Sequence, residues 1–338
     1  MLKKLFLLSF FLFVGFVGYI FYWFKSPNPL NLETVDYHLQ EGSTFMRVAY
    51  DLEKLNVLRY PKIFIDYAKI MHLTGNLKIG TYRFNKDVSP EEILNKLVKG
   101  DIVTIKVTIP EGLNIYQISE KLAQDFPKTK KENWLEIINS KEFIPFLGLK
   151  INAVNLEGFI FPETYVFDPN LSPRSVIKSI LSEFKKNVTS EMLQKAKELG
   201  LTPLEYITLS SIVEKETAVS SERERVAGVY WNRLKIKMKL QADPTVIYGI
   251  WNKYKGTITK RDLLTPTPYN TYTNYGLPPG PIASPGIASL KATLNPISKD
   301  LYFVAKGDGT HIFSQNLKDH NIAVRKYVIF LKANRQKE

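Results

Sequence analysis

Hydrophobic and polar positions fall into stretches of different rhythm along this chain. From Leu5 to Phe24 no residue is charged and nearly all are apolar. A helix of that length spans about 30 Å, the thickness of a bilayer core, so the run predicts a membrane-crossing helix. Lys3 and Lys4 precede it, while Tyr19, Tyr22 and Trp23 gather near its far end, where amphipathic rings favour the interface. A cleavable signal peptide has a shorter apolar core and a small-x-small site. Here the chain continues Trp23-Phe-Lys-Ser-Pro-Asn-Pro29, with large residues where cleavage wants small ones. The pattern reads as a cytoplasmic tail at 1–4, an uncleaved anchor at 5–24 and a proline-broken linker at 25–34. Lysines before the run outnumber Lys25 just after it, which puts the N-terminus inside.

Beyond the linker a phrase occurs twice. Thr34 to Leu39 alternates like a strand, Glu41-Gly42 follows, and Phe45, Val48 and Leu52 recur at helical spacing. The second copy has Ile102 to Ile109, Glu111-Gly112, then Ile115, Ile118 and Leu122. Between the copies, Ser89-Pro-Glu-Glu92 begins a helix with a capping serine, proline at its first position and acids in its first turn; Gly100 closes it. The strand–Glu-Gly–helix phrase resembles the sugar-binding LysM module. Residues 35–107 are therefore expected to form a LysM-like α+β module, either binding glycan or serving as a spacer.

Residues 126–150 suit a helical connector, and Glu157 to Phe167, aromatic and broken by Gly and Pro, suits strand and turn. Pro173 to Lys197 predicts two helices capped by Ser172 and by Thr189 or Ser190. Thr202-Pro-Leu-Glu205 starts another. Tyr206, Leu209, Ile212 and Val213, then Val226, Val229 and Tyr230, keep an i, i+3, i+4 rhythm on either side of Glu214-Lys-Glu216. Leu301 to Ala305 and Thr310 to Ser314 read as two short strands around Gly307-Asp-Gly309. The fold class expected is α+β: an anchor helix, the LysM-like module, and a mixed catalytic domain over 108–338.

Composition narrows the chemistry. There is no cysteine, so neither a disulfide nor a thiolate metal site can form. His38, His72, His311 and His320 lack metal-ligand spacing and read as structural or surface residues; no metal and no cofactor are expected. The net charge of +13 is spread along the chain without a dense basic block or a nucleic-acid motif. With the domain outside the cytoplasm, nucleic acid is not an expected partner. A solvated surface explains the charge, with anionic lipid or wall polymer as the alternative.

The candidate chemistry lies in Leu209-Ser-Ser-Ile-Val-Glu-Lys-Glu-Thr-Ala218. A carboxyl in an apolar setting has a raised pKa and can serve as an acid near neutral pH. Residues two apart on a helix point about 200° apart, so Glu214 and Glu216 cannot share one site. One can face a cleft while the other supports the helix. Downstream, Thr265 to Gly286 interleaves tyrosine, asparagine and threonine before a run too rich in proline and glycine for helix or central strand. Such a loop offers rings to stack on sugars and amides to bind hydroxyls.

Several segments together resemble the membrane-anchored endolytic murein transglycosylases, the YceG-like (MltG) family. They are Ile212-Val-Glu-Lys-Glu-Thr217, Asn232-Arg-Leu234, Leu240-Gln-Ala-Asp-Pro-Thr-Val-Ile-Tyr248, Tyr269-Asn-Thr-Tyr272, Gly276-Leu-Pro-Pro-Gly-Pro-Ile282 and Tyr302-Phe-Val-Ala305. The resemblance implies a lyase that cuts peptidoglycan glycan strands internally, between MurNAc and GlcNAc, and leaves 1,6-anhydro-MurNAc ends. The sugar's own C6 hydroxyl is the nucleophile there, so one carboxyl can act as acid and then base. Related enzymes carry that acid as Glu followed by Ser or Thr late in a helix. Glu216-Thr217 matches, which makes Glu216 the expected acid, with Glu214 as its alternate or support. Gln241, Asp243, Asn270, Thr271 and Tyr272 are candidate substrate contacts. The expected setting is the cytoplasmic membrane, N-terminus in, with the catalytic part in the periplasm or outside. Partners would be glycan strands, the membrane and peptidoglycan synthases. Two other readings stay open: a non-catalytic wall-binding scaffold and a water-using muramidase.

Overall fold

The computed structural model describes residues 2–27, 34–85 and 87–335; most of the stretch read as a linker lies outside them. The chain divides into two compact units, Met1–Lys106 with Val166–Leu171, and Val107–Tyr165 with Ser172–Glu338.

The first unit opens with helix α1, Leu2–Lys25. Its stretch Phe6–Lys25 is long and apolar enough to cross a membrane. The last turn is not free, however. Phe24 is buried in the unit's core, with its ring 4.0 Å from that of Tyr67, and Trp23 lies 5.5 Å from Tyr60. Strand β1 (Val35–Leu39) leads through the Glu41-Gly42 turn to α2 (Phe45–Lys54), which Thr44 caps by accepting from the Arg47 amide. Then come α3 (Pro61–Ile70), β2 (Gly80–Phe84) and α4 (Pro90–Lys99). The Ser89–Glu92 capping box and the left-handed Gly100 bound α4 as the sequence predicts. β1 pairs antiparallel with β2, Val35 opposite Phe84 and Leu39 opposite Gly80. Helix α3, which starts at Pro61 without a side-chain cap, and strand β2 lie outside the elements that the sequence pattern predicts. Asp168 returns to this unit, where its Oδ2 accepts from the Thr81 amide at 2.6 Å and its Oδ1 from the Thr81 hydroxyl at 2.8 Å.

The chain passes from one unit to the other three times, twice within strands, β3 (Ile105–Thr108) and β4 (Thr164–Phe167), which pair as a two-stranded sheet, and once more after Leu171. Each strand is shorter than its sequence suggests. The second strand–Glu-Gly–helix copy therefore ends in the second unit, with α5 at Ile115–Asp125. There follow α6 (Lys131–Asn139), α7 (Pro173–Asn187) and α8 (Ser190–Glu198), the last two capped by Ser172 and Thr189. Helix α9 (Pro203–Glu216) is buried on every side from Tyr206 to Val213, so it is a central helix rather than an amphipathic surface one. Its serines make this possible, because Ser210 donates to Tyr206 O and Ser211 to Thr208 O. Around it lie α10 (Arg223–Lys235), α11 (Asp243–Gly249), α12 (Lys260–Leu264) and α13 (Ile287–Thr293). The antiparallel hairpin β5 (Tyr302–Ala305) with β6 (His311–Ser314) and helix α14 (Leu317–Arg335) complete the unit. Among the histidines, His311 meets Glu222 at 2.7 Å, His38 meets Thr81 at 3.0 Å and His320 stacks on Tyr302.

Candidate active site

Glu216 is the last residue of α9, and Thr217 leaves the helix in an extended conformation. The side chain is half-buried. Its Oε1 accepts from the Tyr230 hydroxyl at 2.6 Å, while Oε2 has no hydrogen-bond donor among the described residues. Burial pushes the carboxyl up to about 7. The Tyr230 hydrogen bond and the Arg233 charge pull it down, and the charge of Asp243 pushes it up. Its place at the negative end of a helix acts in the same direction as burial. The result is a carboxyl that holds its proton near neutrality and gives it up readily.

The surrounding groups come from separate elements. Asp243, the exposed first residue of α11, accepts at Oδ1 from the Tyr272 hydroxyl at 2.5 Å. Arg233 is buried, donating from Nε to Leu301 O and from Nη1 to Leu240 O, both at 2.6 Å. Those bonds tie the β5 entry and the α11 approach to α10. Gln241 is exposed and takes a φ of +51°, which costs a non-glycine residue about 1–2 kcal/mol. Its amide donates to Thr271 O.

Asn270 and Thr271, also candidate substrate contacts, lie inside the proline-rich loop. Both are buried, and their polar atoms are spent inside the protein. Asn270 Nδ2 donates to Leu263 O and Thr265 O, and its Oδ1 accepts from the Tyr272 amide at 2.8 Å. Thr271 Oγ1 accepts from the Ala242 amide and meets Thr245 Oγ1 at 2.8 Å. Through these bonds they help to hold Tyr272, Gln241 and the start of the helix that carries Asp243. Buried polar side chains in a proline-rich loop satisfy amides and carbonyls that no regular secondary structure pairs.

Glu214 occupies another face of α9. Its Oε2 accepts from the Gly286 amide at 3.0 Å, and the adjacent Lys215 donates to Gly112 O. Glu111 lies close by, its carboxyl raised by burial and then by the charge of Glu214. The two glutamates of the motif thus serve separate sites, as a turn of 3.6 residues requires. Among the described residues, no group of three or more His, Cys, Asp or Glu is placed to hold a metal ion.

One acid was missed. Glu157 is buried, accepts at Oε2 from the Ile115 amide at 3.0 Å, and is pushed up to about 8 by burial. Its setting in Glu157-Gly-Phe-Ile-Phe-Pro162 is itself apolar, the same signal that picked out Glu216. Gly158 beside it has a φ of +80°, and a Cβ there would lie 2.4 Å from Pro281 Cβ. Only glycine lets this turn approach the proline-rich loop.

A raised acid at the end of a central helix, a ring-rich loop and a membrane-length N-terminal helix thus occur in one chain. The profile of the YceG-like family matches residues 37–326, and the chain belongs to that family. It is 35% identical over 312 residues to an endolytic murein transglycosylase of Bacillus subtilis, covering 87% of this chain and 85% of that one. With an endolytic murein transglycosylase of Streptococcus pneumoniae it shares 31% identity over an alignment of 363 positions, 96% of this chain but only 65% of the relative's length. The crystal structure of a YceG-like protein from Listeria monocytogenes superposes with a TM-score of 0.59 at 32% identity, covering 86% of this chain and 98% of that one.

Proposed function

We propose that this chain is an endolytic murein transglycosylase, cutting peptidoglycan strands internally and leaving 1,6-anhydro-MurNAc ends. The observation that carries the reading is Glu216: one half-buried carboxyl raised to about 7, with an oxygen open to a ligand. The protonated carboxyl donates to the glycosidic oxygen as the MurNAc C1–O bond breaks, releasing the GlcNAc 4-hydroxyl. The carboxylate then takes the proton of the MurNAc C6 hydroxyl while O6 bonds to C1. No water is consumed, and Glu216 ends protonated again. Asp243, exposed and close enough for its charge to act on Glu216, stabilises the positive charge that develops at C1. Gln241 and Tyr272 orient the sugar; Glu214 supports the helix.

Asp243 also favours a second reading, a water-using muramidase with two carboxylates. Incubating the full chain in detergent with purified glycan strands and weighing the products separates the two. Anhydro ends support the transglycosylase, reducing ends the muramidase, and uncut strands that remain bound a scaffold. The 35–107 region is proposed as a LysM-like binding module, and α1 as a single-pass anchor with the later residues outside the cytoplasm. Protease applied to spheroplasts should degrade the bulk of the protein; a protected chain, or a mature form starting after residue 24, would overturn the anchor.

A further inference from the structure

Four aromatic rings from three separate segments meet in the second unit. Tyr116 stands in the first turn of α5, Tyr248 near the end of α11, Trp251 just after it, and Tyr269 in the proline-rich loop. Tyr116 and Trp251 lie nearly parallel, 9° apart with centroids 5.9 Å apart. Tyr248 is 6.4 Å from Tyr116 and 4.7 Å from Tyr269. None of the four is fully buried, whereas Trp134, Tyr82, Tyr206 and Tyr230 are. A contiguous group of partly exposed rings is a recognition feature rather than a core.

Two further observations link the group to a ligand. Glu157 adjoins the rings: its charge acts on Tyr116, Tyr248 and Tyr269, Tyr248 hydrogen-bonds to its carboxyl, and its buried Oε1 has no well-formed hydrogen bond among the described residues. A buried carboxyl oxygen short of hydrogen bonds beside partly exposed tyrosines leaves room for a further polar contact. The group is also continuous with the acid site. Helix α11 carries Asp243 at its first residue and Tyr248 five residues on, about 7.5 Å along the axis. The loop likewise supplies Tyr272 to one and Tyr269 to the other.

We propose that Tyr116, Tyr248, Trp251 and Tyr269 form a sugar-stacking subsite for a pyranose ring of the strand beyond the bond being cut. Rings accept the apolar face of a sugar whatever its substituents, so the subsite grips strand interior rather than a strand end. This rests on the glycan-strand reading of Glu216 and supplies the binding energy that internal cleavage requires.

The test uses the full chain in detergent and purified glycan strands free of stem peptides. In Glu216→Gln protein, strands should change the emission of Trp251, identified as the signal missing from the Glu216→Gln/Trp251→Phe double variant. In active protein, Trp251→Ala should raise KM for long strands roughly tenfold, with a far smaller change in kcat, and Trp251→Phe should restore most of it. Tyr116→Ala, which leaves Trp251 in place, should raise KM as well. Strands that bind without altering Trp251 emission, or a KM unchanged in both alanine variants while wild type still yields anhydro ends, overturn the subsite alone. Wild type that neither binds nor cuts the strands overturns the glycan reading with it.

Discussion

The Tyr230 hydroxyl donates to Glu216 Oε1 at 2.6 Å, joining the last residue of α9 to the middle of α10. The bond fixes one carboxyl oxygen and leaves the other without a donor among the described residues. It also stabilises the charged form, offsetting part of the upward push from burial. The acid is therefore held at an intermediate proton affinity by opposed effects, and each can be removed separately.

Glu216→Gln should cost about 10²–10⁴-fold or more in strand cleavage, because the amide keeps the size but has no proton to give. Mass spectrometry of digests would show the loss of anhydro ends, with thermal unfolding unchanged within about 2 °C. Glu214→Gln keeps an oxygen for the Gly286 amide and should lower activity only in part. A dead Glu214→Gln beside an active Glu216→Gln would reverse the assignment.

Cleavage should fall as pH rises through about 7, since the first step needs Glu216 protonated. Tyr230→Phe removes a bond that favours the carboxylate, so this limb should move to higher pH. Asp243→Asn removes a charge that disfavours it and should move the limb to lower pH. Shifts in the same direction would contradict the described electrostatics.

Glu157 should make folding stability fall with pH. Its folded proton affinity is raised from the ordinary 4.5 to about 8, so the native state keeps a proton that the unfolded chain has lost. That contribution is fully present below 4.5 and disappears as pH approaches 8. It amounts to on the order of a few kcal/mol, since each tenfold change in proton affinity is about 1.4 kcal/mol. Melting temperatures across this range should decline in wild type and flatten in Glu157→Gln.

Arg233→Lys should destabilise by about 1–3 kcal/mol, since an ammonium cannot reach Leu301 O and Leu240 O together in the guanidinium's planar geometry. Urea unfolding measures the loss. Activity at saturating substrate should fall as well, because the same bonds hold the approach to Asp243.

Gly158→Ala combines a left-handed backbone with a collision against Pro281. It should cost about 1–3 kcal/mol, visible in the melting temperature, and weaken cleavage by displacing the loop that carries Tyr269 and Tyr272.

Local rules made much of this legible in sequence. Ser89, Ser172, Thr189 and Thr202 each cap the helix they announce, because a cap is decided by a few neighbouring atoms. The separation of Glu214 from Glu216 follows from helical pitch alone. What stayed hidden depends on contacts distant in the chain. β1 pairs with Gly80–Phe84, not with the strand of the second Glu-Gly phrase, and no local pattern chooses between them. The bonds from the Asn270 side chain to Leu263 O and Thr265 O likewise cannot be read from the motif alone. Glu157 carried the right signal, an acid among aromatic residues, but its meaning comes from Ile115 and Tyr248, far along the chain.

Phe24 belongs both to the apolar helix and to the core that includes Phe64 and Tyr67. A freely jointed tether would let the first unit swing independently of its helix. Here a swing would have to withdraw that ring from its aromatic neighbours, at a cost of several kcal/mol for a phenylalanine leaving a core. The helix and the unit therefore turn together, like a mast and its mounting. Apolar helices tilt to match the thickness of the bilayer around them. A change in the helix's tilt would therefore be met first by the packing of Phe24 against Phe64 and Tyr67.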